Sequence, residues 1–217
     1  MENNKKVIIL IRHGNTALNE KKTFRGHIDI PLDDTGIEQA EKTGKFLKDI
    51  GIDVIYSSPL SRAFTTAEII QKHQDNKVEI IKETGFMDLD FGEWEGKTYE
   101  EVSINYEEIY QKWIRSPFEV KIPGGGTLYE VQDKSWGALN EIIKKNTSRI
   151  ICIISHRIIN KVLILKMLDI GANGIWKINQ DPCCINIFEH NYGMYFVSKL
   201  NFNFHILNIK DSFFKID

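Results

Sequence analysis

The sequence predicts an α/β fold: three layers, α/β/α, about a mostly parallel central sheet, with a small covering subregion near residues 86–125. Three observations predict it. Short apolar runs at residues 7–11, 54–56 and 150–154, with a weaker one at 78–81, read as strands buried on both faces. Helical periodicity follows each of the three main runs. The alternation then breaks at residues 86–125, which hold aromatics, glycines and short helical patches instead.

The elements follow in order. The first strand ends in "IILIRHG", where the apolar run gives way to Arg12 and His13. Next, Ile37, Ala40, Gly44 and Leu47 recur at helical spacing, with Asp34 or Thr35 as N-cap and Gly51 as the stop. After "DVIYSSP" a second helix carries Ala63, Ala67 and Ile70, with Ser58 as cap and Pro59 in its first turn. Leu128, Val131, Ser135, Leu139 and Ile142 mark a third helix. After "ISH", Ile159, Val162, Leu163 and Lys166 mark a fourth. "CINIFEHNYGMYFVSKL" reads as a hairpin turning near residues 191–193. No repeat, linker or low-complexity tract interrupts the chain, which predicts one domain over residues 1–217.

Composition excludes several classes of partner. A formal net charge of −2 over 217 residues predicts neither nucleic-acid nor membrane binding, so any anion site must be local. The N-terminal apolar run is too short for a signal-peptide core, which predicts a soluble, cytoplasmic protein. Three cysteines, Cys152, Cys183 and Cys184, are no disulfide framework and suit a reducing compartment. Oligomeric state is left open, a homodimer included.

In parallel α/β sheets, ligands bind outside the carboxyl ends of the strands. Arg12, His13, Arg62 and His156 all follow strands, so they converge at one sheet edge although distant in sequence. Two arginines and two histidines there make an anion site: guanidinium groups fork onto phosphate oxygens, and helix N-termini add N–H donors. Phosphoryl transfer also needs an acid to protonate the leaving oxygen. "GFMDLDFGEWEG" offers Asp88, Asp90, Glu93 and Glu95, and spacing alone does not choose among them.

Six blocks, in order over nearly the whole chain, resemble the histidine phosphatase superfamily, the phosphoglycerate mutase-like fold. They are "LIRHGNTALN", "FRGHIDIPLDDTGIEQA", "IYSSPLSRAFTTAEII", "MDLDFGEWEG", "IPGGGTLYEV" and "IISH". "LNFNFH" resembles a terminal pattern common among the phosphatase members. The resemblance implies a metal-independent phosphomonoesterase that needs no cofactor. His13 would be the nucleophile and form a phosphohistidine. Arg12 and Arg62 would hold the phosphoryl group and keep His13 neutral. His156 would donate to the phosphoryl oxygens, and Asp88 would protonate the leaving oxygen and then activate water. Asn19 and Gly26 match positions that touch or cover the phosphate. Arg25, beside the turn glycine, and Arg157 are further candidate substrate contacts. A zinc site on His13 and His156 is disfavoured, because the neighbouring arginines repel a cation.

The chain departs from the family pattern in three places. Asp88 stands where glutamate is usual, one methylene shorter. Gly126 stands where glutamate often follows two glycines. Arg157 follows His156 where glycine is common. Arg115 is the only arginine between Asp88 and Arg149, whereas the family's mutases carry paired arginines in a longer segment there. That favours a phosphatase on a small phosphomonoester such as α-ribazole phosphate, phosphoserine or a sugar phosphate. Phosphoglycerate mutase and a catalytically weak phospho-ligand binder are the alternatives. Phe86, Phe91, Trp94, Tyr106, Tyr110 and Trp113 either wall the substrate pocket or form the small core under the cover.

Overall fold

The central strand, β1 (Lys6–Arg12), is an apolar run because it is covered on both faces: Ile8 to Ile11 are each at most 1 % exposed. A computed structural model describes residues 5–19 and 22–207 of the chain. Its sheet has six strands in the order β3-β2-β4-β1-β5-β6, the others being β2 (Val54–Ser57), β3 (Glu79–Lys82), β4 (Ile150–Ser155), β5 (Ile185–Asn191) and β6 (Met194–Phe202). β1, β2, β3 and β4 pair in parallel, and β5 and β6 add an antiparallel edge. The hairpin between β5 and β6 turns on Tyr192 and Gly193, both at positive φ (52° and 74°), the backbone of a two-residue turn matched to strand twist.

Side-chain alternation divides the core into two layers. Ile9, Ile11, Ile55, Cys152 and Ile154 pack with Ala63, Ala67 and Ile70 of helix α2 (Ser61–Lys72), and helix α1 (Asp34–Phe46) packs on α2. Ile8, Leu10, Ile151 and Ile153 pack on the other face with α5 (Leu128–Lys145) and α6 (Arg157–Met167). Each such aliphatic side chain contributes about 1.5–3 kcal/mol by burial.

Residues 86–125 form the cover, with two short helices, α3 (Tyr99–Asn105) and α4 (Glu107–Arg115). The cover has its own aromatic cluster: Phe24 lies 4.9 Å from Phe91 and 5.1 Å from Trp94, and Trp94 packs edge-on against Trp113 at 6.0 Å. Ile158, Val162 and Leu165 of α6 complete it. Phe86 belongs instead to the main core, beneath the sheet.

Three boundaries differ from the sequence expectation, each for a physical reason. α1 is capped by Asp33, one residue early, whose Oδ1 accepts from Gly36 N–H at 2.7 Å. α2 begins at Ser61 rather than at Ser58-Pro59, because Asp29 reaches across and accepts from both Ser61 N–H and Oγ–H at 2.7 Å. β3 begins at Glu79, while Val78 turns into the core. Thr127 and Glu130 form a capping box that starts α5. Among the described residues, no helix is long and apolar enough to cross a membrane.

Candidate active site

Strand register assembles the site. Arg12 pairs with Ser155 across β1 and β4, so the residues that follow, His13 and His156, leave the sheet side by side. Their rings lie 5.2 Å apart, and both residues are buried. The His13 N–H donates to Ser155 O at 3.0 Å, fixing the backbone there. His13 Nδ1 lies 2.6 Å from Gly14 O, and a carbonyl can only accept, so Nδ1 carries the proton and Nε2 carries the lone pair. Gly14 is required at this bend: a Cβ would sit 2.5 Å from the Gly36 carbonyl oxygen.

The two imidazoles stay neutral. Burial, then the charge of Arg62, pushes the pKa of His13 well below its ordinary value, with His156, Arg12 and Arg25 adding to the effect. Burial and the Arg62 charge do the same to His156. His156 stands at the N-cap position of α6 without a side-chain cap bond, and its Nε2 shares a 2.8 Å hydrogen bond with Ser58 Oγ, which also accepts from Leu60 N–H at 3.4 Å.

Each arginine is anchored on backbone carbonyls. Arg12 Nη1 donates to Gln180 O at 2.6 Å. Arg62, in the first turn of α2 and fully buried, donates to Ile28 O at 3.0 Å and Gly26 O at 2.8 Å. Burial, with the charges of Arg25 and Arg157, lowers Arg12 to about 10. Arg12 Nε, Arg62 Nε and His156 Nδ1 are buried polar atoms without a hydrogen-bond partner in the protein. Three such orphans on one site are costly unless something polar meets them.

Asp88, and not Asp90, reaches this cluster. Asp88 Oδ2 lies 3.5 Å from Arg62 Nη2 and 3.8 Å from His156 Nδ1. Its Oδ1 accepts from Leu89 N–H at 3.0 Å, and its carbonyl accepts from His27 Nε2 at 2.9 Å. Burial raises its pKa, opposed by the charges of Arg62 and Arg25. Asp90 turns back into its own loop, accepting from Gly92 N–H at 2.8 Å.

The candidate substrate contacts lie around this centre. Gly26 turns at φ +51°, where a Cβ would sit 2.0 Å from Glu95 Oε1. Arg25 Nη1 donates to Thr16 Oγ1 at 3.1 Å, and the Thr16 hydroxyl donates to Asn19 Oδ1 at 2.8 Å. Arg157 Nη1 lies 3.4 Å from the Tyr99 hydroxyl. Two cavities adjoin the site. A cavity of about 160 Å³ is walled by Phe24, Phe91, Tyr110, Trp113 and Trp176, with Asp88 in its wall. A polar one of about 550 Å³ is lined by Arg12, Asn19, Lys161, Gln180 and Asp181. They share Thr23, Arg25, Tyr99 and Arg157. Neither is lined by His13 or His156; Asp88 lines the first and Arg12 the second. Both sequence readings of the aromatics therefore hold, residue by residue: Trp94 and Phe86 are core, while Tyr110 and Trp113 also wall a cavity.

Sequence reasoning did not assign Thr16, Ser58 or Lys161 to this site; His27, which with Arg25 flanks the turn glycine, reads from sequence equally as substrate contact or solvated loop, and its ring bonds the Asp88 carbonyl. Thr16 and Ser58 sit inside the resembling blocks, but only tertiary structure shows whom they bond. Among the described residues, no group of three or more His, Cys, Asp or Glu could hold a metal ion.

The model of the histidine phosphatase superfamily (branch 1) matches residues 8–203. The chain belongs to that superfamily. This histidine phosphatase is 28 % identical to phosphoserine phosphatase 1 of Hydrogenobacter thermophilus, over 92 % of its own length and 93 % of the relative's. It superposes on a mutant phosphoserine phosphatase of Entamoeba histolytica, solved with phosphoserine, with a TM-score of 0.78 and 31 % identity, covering 93 % of this chain and 100 % of that one. Against Bacillus stearothermophilus YhfR the TM-score is 0.87 at 25 % identity, covering 93 % of this chain and 100 % of that one. The fold of this histidine phosphatase is thus the phosphoglycerate mutase-like α/β fold, and its family is one of enzymes that hydrolyse phosphate esters.

Proposed function

We propose that the protein hydrolyses a small phosphomonoester through a phosphohistidine on His13. The observation that carries this is the pair of facts at His13: Nδ1 is committed to Gly14 O, and burial with nearby positive charge keeps the ring neutral. Nε2 is therefore a free nucleophile beside two buried arginines. Nε2 attacks phosphorus, the P–O ester bond breaks, and Asp88 gives its proton to the departing oxygen. Water then attacks the phosphohistidine, Asp88 takes one of its protons, the P–N bond breaks, and phosphate leaves. Arg12, Arg62 and His156 hold the phosphoryl oxygens and meet developing charge with the orphaned Nε and Nδ1 atoms. The arginines supply the positive charge that a metal supplies in other phosphoryl transfers. Asn19, Gly26, Arg25 and Arg157 face the rest of the substrate.

The names of the phosphoserine phosphatases above make phosphoserine the first substrate to test. The α-ribazole phosphatase neighbours fall below 25 % identity and support the fold alone. Three buried free thiols support a reducing compartment, so we place the enzyme in the cytoplasm.

The test is hydrolysis of p-nitrophenyl phosphate in EDTA. Wild type is expected to turn over, and His13→Ala to lose roughly 10³-fold or more. Full activity in His13→Ala refutes the phosphohistidine route. Phosphate binding without turnover in wild type points to the weak binder. Conversion of 3-phosphoglycerate to 2-phosphoglycerate with a trace of 2,3-bisphosphoglycerate points to the mutase.

A further inference from the structure

The polar cavity beside Arg12 holds a charged side chain that the phosphoryl chemistry leaves unused. Lys161, on α6, is only 2 % exposed, yet it lines this cavity. Among the described residues no carboxylate lies within salt-bridge distance of it, and none pairs with Arg157, which lines the same cavity. The one acid in the lining, Asp181, is engaged elsewhere: its Oδ2 accepts from Asn201 and Asn203 Nδ2, both at 2.8 Å. Lys161 Nζ lies 5.1 Å from the centroid of the Trp176 ring, a cation–π contact that fixes the stem and leaves the ammonium's other donors free. Arg157 and Lys161 are four residues apart, so one helical face presents both.

A buried lysine beside two arginines, with no acid to answer it, is an expensive arrangement. Burial and the charges of Arg157 and Arg12 pull the Lys161 pKa down to about 7. An anion brought by a ligand would reverse both effects. This cavity shares Arg12 with the candidate phosphoryl site, so one molecule can occupy both.

We infer that Arg157 and Lys161 form a second anion subsite, which selects phosphomonoesters bearing a further anionic group, carboxylate or phosphate, a few bonds from the ester. Arg157 directly follows His156, and Lys161 stands about one turn further along α6, which sets a short separation between the two anions of a ligand. A neutral or cationic alcohol group leaves the charges of Arg157 and Lys161 unanswered. The inference rests on the phosphatase reading and names its substrate class.

The experiment compares matched ester pairs that differ in the second anion. Phosphoserine is set against phosphoethanolamine, and 3-phosphoglycerate against glycerol 3-phosphate; a bisphosphorylated three-carbon ester separates phosphate from carboxylate as the second group. Wild type is expected to favour the doubly anionic member of each pair in kcat/KM. Lys161→Met keeps the stem against Trp176 and removes the charge. It should reduce the preference about tenfold, the equivalent of ~1.4 kcal/mol, chiefly through KM. Arg157→Gln, in the first turn of α6, should reduce it in the same direction, and Lys161→Arg should restore part of it.

An equal loss on both members of a pair, or a wild type indifferent to the second anion, overturns the subsite. The phosphatase reading fails on a separate result: wild type releasing phosphate neither from p-nitrophenyl phosphate, which carries no second anion, nor from any of the paired esters. Calorimetric binding of 3-phosphoglycerate against glycerol 3-phosphate then decides the subsite without turnover. A Lys161-dependent difference in affinity upholds it, and equal affinities overturn it.

Discussion

Replacing Asp88 by asparagine removes the acidic proton and turns the carboxyl oxygen facing Arg62 into an amide donor. The amide keeps the shape of the carboxyl, its oxygen can still accept from Leu89 N–H, and His27 still holds the residue 88 carbonyl. Arg62 keeps the carbonyls of Gly26 and Ile28. The Arg62–Asp88 contact is long, 3.5 Å, and burial already favours the neutral carboxyl. Stability should therefore fall by about 1–2 kcal/mol, less than the ~3–5 kcal/mol of breaking a tight buried pair. For a chain of this size, that is a melting shift of roughly 2–8 °C. The chemical loss should be larger: a general acid contributes roughly 10²–10⁴-fold, or ~2.7–5.5 kcal/mol of barrier.

That loss should depend on the leaving group. An alkoxide from an alkyl phosphate needs the proton, whereas p-nitrophenolate departs without it. Steady-state kinetics on both esters in one buffer should show kcat/KM for the alkyl ester down by roughly 10²–10⁴ and for the aryl ester down about tenfold or less. The reasoning is refuted by an equal loss on the two esters. It is also refuted if Asp90→Asn, rather than Asp88→Asn, shows the leaving-group dependence.

Two further outcomes follow from the same geometry. Gly26→Ala places a methyl group at φ +51° against Glu95 Oε1, which itself accepts from His27 N–H at 2.7 Å, so thermal unfolding should show a loss of about 2–4 kcal/mol; an unchanged melting point would mean that the turn relaxes freely. The second concerns pH. His13 and His156 have folded pKa values well below 6.5, so as pH falls through about 6.5 the unfolded chain binds protons that the fold refuses, and stability drops with acidification, by up to about 2.7 kcal/mol per pH unit for two protons. Asp88 acts with opposite sign above 3.8, where its raised folded pKa keeps a proton that the unfolded chain has lost, which offsets part of the slope. Melting temperatures from pH 7 to 5 should fall in wild type and fall less in a His13→Asn, His156→Asn double variant; parallel curves would contradict the assignment of neutral, buried imidazoles.

Much of this architecture was legible in the sequence, because buried parallel strands advertise themselves as apolar runs and the candidate site sits where those runs stop. Arg12, His13 and His156 could be placed at one edge from that pattern. The choice between Asp88 and Asp90 could not, since both lie in an irregular loop whose direction is set by Leu89, His27 and Gly92. Nor could the start of α2, because the group that caps it, Asp29, is distant in sequence. The cover was legible only as an interruption: its aromatics follow no period, so burial of Trp94 and exposure of Tyr110 to a cavity could not be separated.

The deeper gap concerns charge. Four basic groups, Arg12, Arg25, Arg62 and Arg157, surround two histidines, and a count of residues would look for acids to balance them. Among the described residues one carboxylate, Asp88, lies within ion-pair distance of them, and neutral oxygens take the other bonds: the Gln180 carbonyl for Arg12, the Gly26 and Ile28 carbonyls for Arg62, and the Thr16 and Tyr99 hydroxyls for Arg25 and Arg157. A carbonyl satisfies a guanidinium's hydrogen bonds without cancelling its charge. The site therefore keeps an uncompensated positive field while its arginines stay fixed, and that combination is what a phosphate dianion needs from a rigid pocket. Because every residue carries a carbonyl, no sequence pattern could have revealed which ones would do this; the register of β1 against β4 and the turn at Gly26 decide it.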